Sequence, residues 1–176
     1  IAAALASAAP SQAANITILH VGDQESWLVS AAGNTRDIGS ATDLSRYGGV
    51  DRLAAVIERE RAAASGRTVL TLNAGDAFLP GARLGASFAN FGGNAVTGVA
   101  PADDAIAMRQ IGFTAAVFGN HEFDLGPDVA ARFAEKSGTT YLSSNLDFSG
   151  TSAFSALATA GIVAPTKLVT VDGGLK

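Results

Sequence analysis

One stretch decides the fold that this sequence predicts: Phe118-Gly119-Asn120-His121-Glu122-Phe123-Asp124. A short apolar run beginning at residue 115 precedes it and is typical of a buried strand. Directly after that run, an amide, an imidazole and two carboxylates fall within five residues. Ligands in α/β proteins bind at the loops that leave the carboxyl ends of strands, so the stretch is a candidate site at a strand exit.

Two earlier strands are predicted to end in the same way. The apolar, β-branched segment 15–21 leads into Asp23 and Glu25, and the segment 68–72 leads into Asp76. Connections of helix length separate these strands, which predicts parallel pairing through right-handed crossovers. The predicted fold class is therefore α/β, with all three polar exits at the same edge of the sheet.

The remaining elements follow from periodicity and from the positions of glycine and proline. We predict helices at 50–64, 101–111 and 127–137, further strands at 115–118, 140–143 and 166–171, loops at 27–47 and 79–100, and a loop or weak helix at 149–160.

Composition excludes several classes of function. A chain of 176 residues can bury one sizeable core. Its net charge of -4 and the lack of any Lys/Arg cluster argue against nucleic-acid polymers and anionic membrane surfaces as partners. There is no cysteine, so disulfides and thiolate metal sites are excluded, and any metal ligand must be an oxygen or an imidazole.

Residues 1–13 are rich in alanine and uncharged, which is typical of the apolar and cleavage regions of a signal peptide. Small residues at Ser11 and Ala13 predict cleavage after Ala13, so the folded domain is expected at 14–176. A flexible alanine-rich tail is the alternative interpretation. No later segment has the roughly 20 apolar residues that a membrane span needs. We therefore expect an exported protein, located in the periplasm, at the cell surface or outside the cell.

The donors at the three exits suit a pair of divalent metal ions. Carboxylates bridge two ions readily, and an asparagine carbonyl can complete a coordination shell. We assign Asp76 as the bridging ligand, Asp23 and Glu25 to one ion and Asn120 to the other. Two ions about 3.5–4 Å apart generate a hydroxide and stabilise in-line displacement at phosphorus. Glu25 is the least secure of these ligands, since a solvated acid explains it equally well.

His121 follows a predicted ligand directly and is the candidate general acid. Asp124, three residues later, could hold its tautomer and favour the imidazolium. Glu122 has no assigned role. His20 lies within the first strand, where a structural histidine is the favoured interpretation.

Together these segments resemble the secreted 5'-nucleotidase branch of the calcineurin-like metallophosphoesterases. The motifs that carry the resemblance are Gly48-Gly49-Val50-x-Arg52-Leu53, Asn73-Ala74-Gly75-Asp76-Ala77-Phe78 and Gly119-Asn120-His121-Glu122-Phe123-Asp124-Leu125-Gly126. The similarity extends over residues 16–145, and the last motif is highly specific. It implies a four-layer α/β/β/α fold, a dinuclear metal centre and hydrolysis of phosphate esters such as nucleotides or nucleotide diphosphate sugars.

The resemblance also implies roles for individual residues. Asp23 matches the first metal ligand, Asp76 the bridging ligand and Asn120 the ligand of the second metal. His121 and Asp124 match the catalytic dyad. The expected cofactors are two divalent ions, with Mn, Zn, Mg and Ca all open, and the expected partner is a small phosphate ester such as a nucleotide.

Two departures from the family pattern stand out. Glu25 occupies the position of an expected histidine ligand, which favours harder ions such as Mn or Mg over Zn. The later histidine-bearing ligand segments of the family do not occur within the 176 residues. We therefore expect the sequence to be the amino-terminal part of the domain, and to hydrolyse little or nothing by itself.

Two other functions remain open at this stage. One is a cyclic nucleotide or nucleotide-sugar phosphoesterase with the same fold. The other is a non-catalytic exported binding protein on a decayed scaffold, suggested by Glu25 and by the insertions rich in glycine and alanine. Two metal ions per full-length chain would favour an enzyme, and none would favour the decayed scaffold.

Overall fold

The computed structural model describes residues 14–30, 48–90 and 102–176. Its strands are β1 (Ile16–Val21), β2 (Thr68–Asn73), β3 (Ala115–Val117), β4 (Tyr141–Leu142) and β5 (Val163–Ala164). Its helices are α1 (Val50–Ala63), α2 (Ala82–Asn90), α3 (Ala102–Ile111), α4 (Pro127–Ser137) and α5 (Ser152–Thr159), with short 3-10 turns at His121–Phe123 and Asp172–Gly174.

The strands form one parallel sheet in the order β1-β2-β3-β4-β5. Val21 is paired with Asn73, and Asn73 is paired with Ala116. The carboxyl ends of β1, β2 and β3 therefore lie side by side. This confirms the α/β class and the parallel arrangement, and it brings the three polar exits to one edge.

Right-handed crossovers between strands in sequential order place the helices on one face of the sheet. There α3 contacts α1, α2 and α4, and α4 contacts α5. The core beneath them contains the fully buried Phe78, Phe133, Tyr141 and Phe154. The side chains of β1 alternate between the two faces of the sheet, and Leu19 and Val21 pack against the core.

The opposite face of the sheet is apolar and open to solvent. Ile16 is 45% exposed, Ile18 62% and Val117 40%. The described residues thus supply one helical layer and one sheet layer. The other two layers of a four-layer sandwich do not occur among them.

The prediction of a loop at 79–100 is wrong, because Ala82–Asn90 forms helix α2. Leu84 and Phe88 lie four residues apart and are both buried, at 2% and 5% exposure. That spacing supplies the buried side of a helix, whereas the many glycine, alanine and asparagine residues of this segment suggested a loop. The rest of this segment, from 91 to 100, lies outside the described residues, as does 31–47 within the predicted loop at 27–47.

The strand predicted at 166–171 is also wrong. The last strand is Val163–Ala164, where Val163 is 4% exposed and packs in the core. Pro165 follows it and has no N–H with which to extend the ladder. Beyond it, Leu168 is 75% exposed, so nothing holds an apolar strand there. The segment 149–160 was predicted to be a loop or a weak helix. Within it, Ser152–Thr159 forms helix α5.

Residues 1–13 lie outside the described part, so the signal peptide, the cleavage after Ala13 and the domain at 14–176 stay predictions. Among the helices described, none is both long and apolar enough to cross a membrane.

Candidate active site at the sheet edge

The first exit loop (22–26) and the second (74–77) run alongside each other beyond the ends of β1 and β2. Three backbone hydrogen bonds join them: Asp23 N–H to Gly75 C=O at 3.1 Å, Glu25 N–H to Asp76 C=O at 3.0 Å, and Ser26 N–H to Ala77 C=O at 3.2 Å. The parallel pairing of the strands thus continues into the loops. It brings Asp23 and Glu25 beside Asp76.

The same two loops contain residues in the left-handed backbone region. Asp23 has a φ of 54°, Glu25 of 47°, Ser26 of 59° and Asp76 of 53°. Residues other than glycine rarely adopt this conformation, and each costs on the order of 1 kcal/mol or more. Such strain concentrates at functional sites, and three of these four residues are predicted metal ligands.

The second loop and the third exit loop (119–124) approach each other too closely for a side chain at either glycine. A Cβ on Gly75, whose φ is 93°, would collide with the backbone of Gly119, and a Cβ on Gly119 would collide with the Asp76 carboxylate. The Oδ1 atom of Asp76 accepts a hydrogen bond from the His121 N–H at 2.9 Å. Asp76 therefore lies between the first and third loops.

Glu122, which had no role in the sequence analysis, joins the second and third loops. It is fully buried. Its Oε2 atom accepts the N–H groups of Asp76 at 3.0 Å and Gly119 at 2.6 Å, and its Oε1 atom accepts that of Ala77 at 2.7 Å. Burial raises the pKa of Glu122, and the three N–H donors oppose that shift. The only signal in the sequence was an acid without a role inside a crowded motif.

His121 and Asp124 form the pair that their spacing suggested. The Nδ1 atom of His121 lies 2.6 Å from Oδ2 of Asp124. This hydrogen bond is the main reason that the pKa of His121 is raised, and the negative charges of Asp124, Asp76 and Glu25 raise it further. The His121 side chain is 27% exposed, so its ring remains accessible from solvent.

Asn73 is a second residue whose part the sequence analysis missed. Its Nδ2 atom donates to Oε1 of Gln24 at 2.6 Å, and its Oδ1 atom accepts the Gly75 N–H at 2.9 Å. It therefore ties the first loop to the second and forms the turn that starts the second. An asparagine two residues before a glycine at a strand end is a signal for such a turn.

Aromatic residues on both sides of the polar stretch anchor it to the core. Phe118, directly before Gly119, stacks on Tyr141 with ring centroids 4.5 Å apart and meets Phe154 edge-on at 5.5 Å. Phe123, directly after Glu122, lies 5.4 Å from Phe118. These ring contacts anchor the third loop to the core.

The donors of Asp23, Glu25, Asp76 and Asn120 suit a hard divalent cation, since they are carboxylate and amide oxygens. Asn120 and Asp23 are exposed, and Glu25 and Asp76 are half-buried. Within the part of the chain that the structure describes, no three Asp, Glu or His side chains converge closely enough to hold a metal ion. The assignment of Asp23, Glu25, Asp76 and Asn120 as metal ligands therefore stays a prediction. His20 lies within β1 and is exposed.

No protein-family model matches the chain, and no curated protein matches it. Several solved structures match the chain. A 5'-nucleotidase precursor from Thermus thermophilus is 27% identical over 90% of this chain and 26% of its own, with a TM-score of 0.62. The NAD nucleotidase of Haemophilus influenzae is 25% identical over 89% of this chain and 24% of its own, with a TM-score of 0.64.

A calcineurin-like phosphoesterase from Bacillus subtilis shares the fold, with 20% identity over 71% of this chain and 35% of its own, at a TM-score of 0.50. The structural neighbours are thus 5'-nucleotidases and calcineurin-like phosphoesterases, which confirms the resemblance read from the sequence. The chain spans about a quarter of the length of the first two neighbours.

Proposed function

We propose that this chain carries part of the active site of a metal-dependent phosphoesterase of the 5'-nucleotidase type, which hydrolyses small phosphate esters such as nucleotides. One observation carries the proposal: the His121–Asp124 pair, 2.6 Å apart, lies beside Asp76 where three strand exits are joined by hydrogen bonds. The names of the neighbours, a 5'-nucleotidase and an NAD nucleotidase, support nucleotides as the substrate class.

The proposed ligands of the two ions are Asp23, Glu25, Asp76 and Asn120, with Asp76 as the bridge. Asp76 suits that role because its loop is bonded to the first loop through its backbone and to the third through its carboxylate. When bound, two divalent ions supply positive charge that activates water and stabilises in-line displacement at phosphorus. Since the four proposed donors would fill only part of a two-ion shell, we expect the 176 residues alone to hydrolyse little or nothing.

His121 is the proposed general acid. With Nδ1 held by Asp124, Nε2 is the ring nitrogen that can give a proton to the leaving oxygen of the ester. The raised pKa favours the protonated ring that a general acid needs, and Asp124 fixes the orientation of that ring. Asp76 orients the start of the same segment by accepting the His121 N–H.

The test compares two esters in the full-length protein. Adenosine monophosphate has a poor leaving group, so its hydrolysis needs a general acid. The leaving group of p-nitrophenyl phosphate is good, so its hydrolysis depends much less on a general acid. We expect His121→Ala to lower kcat/KM about 100-fold or more for the nucleotide, and less than about 10-fold for the aryl ester. Asp128→Asn, at an exposed position in the first turn of α4, is the matched control. It is expected to leave kcat/KM unchanged for both esters.

Equal losses for the two esters would overturn the role of His121. An absence of metal-dependent hydrolysis of both esters by the unaltered full-length protein would overturn the proposed function as a whole.

A further inference from the structure

Ser26, Ser87 and Asp104 form a buried polar cluster that joins the first exit loop to the helical layer. The exposed fractions of the three residues are 2%, 1% and 3%. Ser26 directly follows the proposed ligand Glu25, Ser87 is on α2 and Asp104 is on α3. We call these three residues the Asp104 cluster. It links three segments that are remote from one another in sequence.

The side chains of the Asp104 cluster depend on one another for hydrogen bonding. Burial raises the pKa of Asp104 to about 6, and hydrogen bonds from the hydroxyls of Ser87 and Ser26 to its carboxylate oppose that rise. None of these four oxygen atoms has another hydrogen-bond partner among the described residues. A buried polar group without a partner is costly. Loss of the Asp104 carboxylate would therefore leave the Ser26 hydroxyl unpaired.

Helix α2 contacts the same part of the chain at a second point. The guanidinium carbon of Arg83 lies 3.5 Å from the ring centroid of Trp27, the residue directly after Ser26. Arg83 and Ser87 are four residues apart, so they lie on the same face of α2, one turn from each other. Two neighbouring side chains of α2 thus meet the end of the first exit loop.

The first exit loop needs such support because its backbone is strained. Asp23, Glu25 and Ser26 have φ angles of 54°, 47° and 59°. A left-handed conformation in residues other than glycine persists only where the surrounding structure fixes it. Hydrogen bonds from the second exit loop fix the backbone of the first. The Asp104 cluster adds a contact through the Ser26 side chain.

We propose that Asp104 is a positioning residue, which acts through Ser26 to hold the first exit loop in the conformation that brings Asp23 and Glu25 beside Asp76. The inference rests on the proposed function, since Asp23 and Glu25 are proposed ligands of the metal centre. Asp104 itself is on α3, in the helical layer, and is not one of the proposed ligands. The role requires the hydrogen bonding of its carboxylate and not only its volume.

Hydrogen–deuterium exchange tests this role in the full-length protein without metal. The N–H groups of Glu25 and Ser26 bond to the second exit loop, so their exchange reports whether the first loop stays in place. We expect Ser26→Ala, which removes the hydroxyl, to make exchange in the segment 23–28 about tenfold faster or more. Ser137→Ala is the matched control, because Ser137 is also fully buried but lies on α4. It should leave exchange in 23–28 unchanged.

Two substitutions of Asp104 separate hydrogen bonding from packing. Asp104→Leu has the same branched shape but no acceptor, so it should speed exchange in 23–28 as Ser26→Ala does. Asp104→Asn keeps an oxygen acceptor and gains an NH₂ donor that a hydroxyl can accept, so it should retain most of the protection. Thermal unfolding shows whether each variant is folded, and Ser26→Ala decides the test if Asp104→Leu is not. Unchanged exchange in Ser26→Ala, or equal exchange in folded Asp104→Leu and Asp104→Asn, would overturn the proposal.

The dissociation constant of Mn²⁺ connects the loop to the proposed metal centre. We expect Ser26→Ala and Asp104→Leu to weaken Mn²⁺ binding to the full-length protein about tenfold or more, and Asp104→Asn and Ser137→Ala to leave it largely unchanged. Faster exchange with unchanged Mn²⁺ affinity would overturn the positioning role. A full-length protein that binds no Mn²⁺ and hydrolyses no ester would instead overturn the proposed function, and exchange without metal would still decide whether Asp104 holds the loop.

Discussion

Glu122 determines whether the second and third exit loops stay together, although its position in the sequence did not indicate this. Metal ligands and acids are suggested by residue type and by place after a strand, so Asp23, Asp76, Asn120 and His121 could be selected from the sequence. The parts played by Glu122 and Asn73 depend on which backbone groups of another loop they face. That information arises only when three strands, remote in sequence, pair in the sheet.

Replacing Glu122 with glutamine tests this role. Glutamine offers one carbonyl oxygen, and its NH₂ group would face N–H donors that now bond to the carboxylate. We expect Glu122→Gln to lower the free energy of unfolding by about 1–3 kcal/mol, measured by urea denaturation. Glu135→Gln, on the exposed side of α4, should change it by less than about 0.5 kcal/mol. Equal stability of the two variants would contradict the role.

The pair formed by His121 and Asp124 makes a prediction about pH. Asp124→Asn removes the main cause of the raised pKa of His121, so that pKa should fall towards its ordinary value of about 6.5. The pair stabilises the fold fully below about pH 6.5, and this contribution is lost as the pH rises through the folded-state pKa of His121. An NMR titration of the His121 ring measures the change, with Asp128→Asn as the control. An unchanged His121 titration in Asp124→Asn would show that Asp124 does not hold the imidazolium.

At the scale of elements, the sequence was sufficient where strands alternate with amphipathic helices. It predicted β1, β2, β3 and α4 nearly to their ends, because apolar runs and the glycines and prolines that bound them are local signals. It failed at α2, where a segment rich in glycine, alanine and asparagine contains a buried pair at Leu84 and Phe88. It also failed at β5, where strand formation depends on pairing with Tyr141 and Leu142 rather than on local composition.

The contact between the second and third loops is the element-scale feature with the clearest test. Gly119→Ala places a methyl group against the Asp76 carboxylate and should lower the free energy of unfolding by about 1–3 kcal/mol. Gly85→Ala is the matched control, since its Cβ meets no atom within 4 Å inside helix α2, and it should stabilise by about 0.5–1 kcal/mol. Thermal or urea unfolding measures both. A harmless Gly119→Ala would mean that the two loops are not in contact.

At the scale of the whole molecule, one face of the sheet exposes Ile16, Ile18 and Val117. Among the described residues, no three Asp, Glu or His side chains converge on a possible metal position. A four-layer sandwich would supply a second sheet to cover that face and further ligands at the same edge. We therefore expect the full-length protein to have a covered sheet face and further ligands, because this chain spans only about a quarter of the length of its first two neighbours.

The measurement that tests the central claim most directly is the metal content of the full-length protein, with and without Asp76. Elemental analysis of the purified protein, reconstituted with Mn²⁺ and freed of excess metal, should find about two ions per chain. Asp76→Asn should retain fewer than about one ion and lose hydrolysis of adenosine monophosphate, while Asp128→Asn retains both ions and activity. A full-length protein without bound metal, or an Asp76→Asn variant that keeps two ions and full activity, would contradict the assignment of this sheet edge as a dinuclear metal centre.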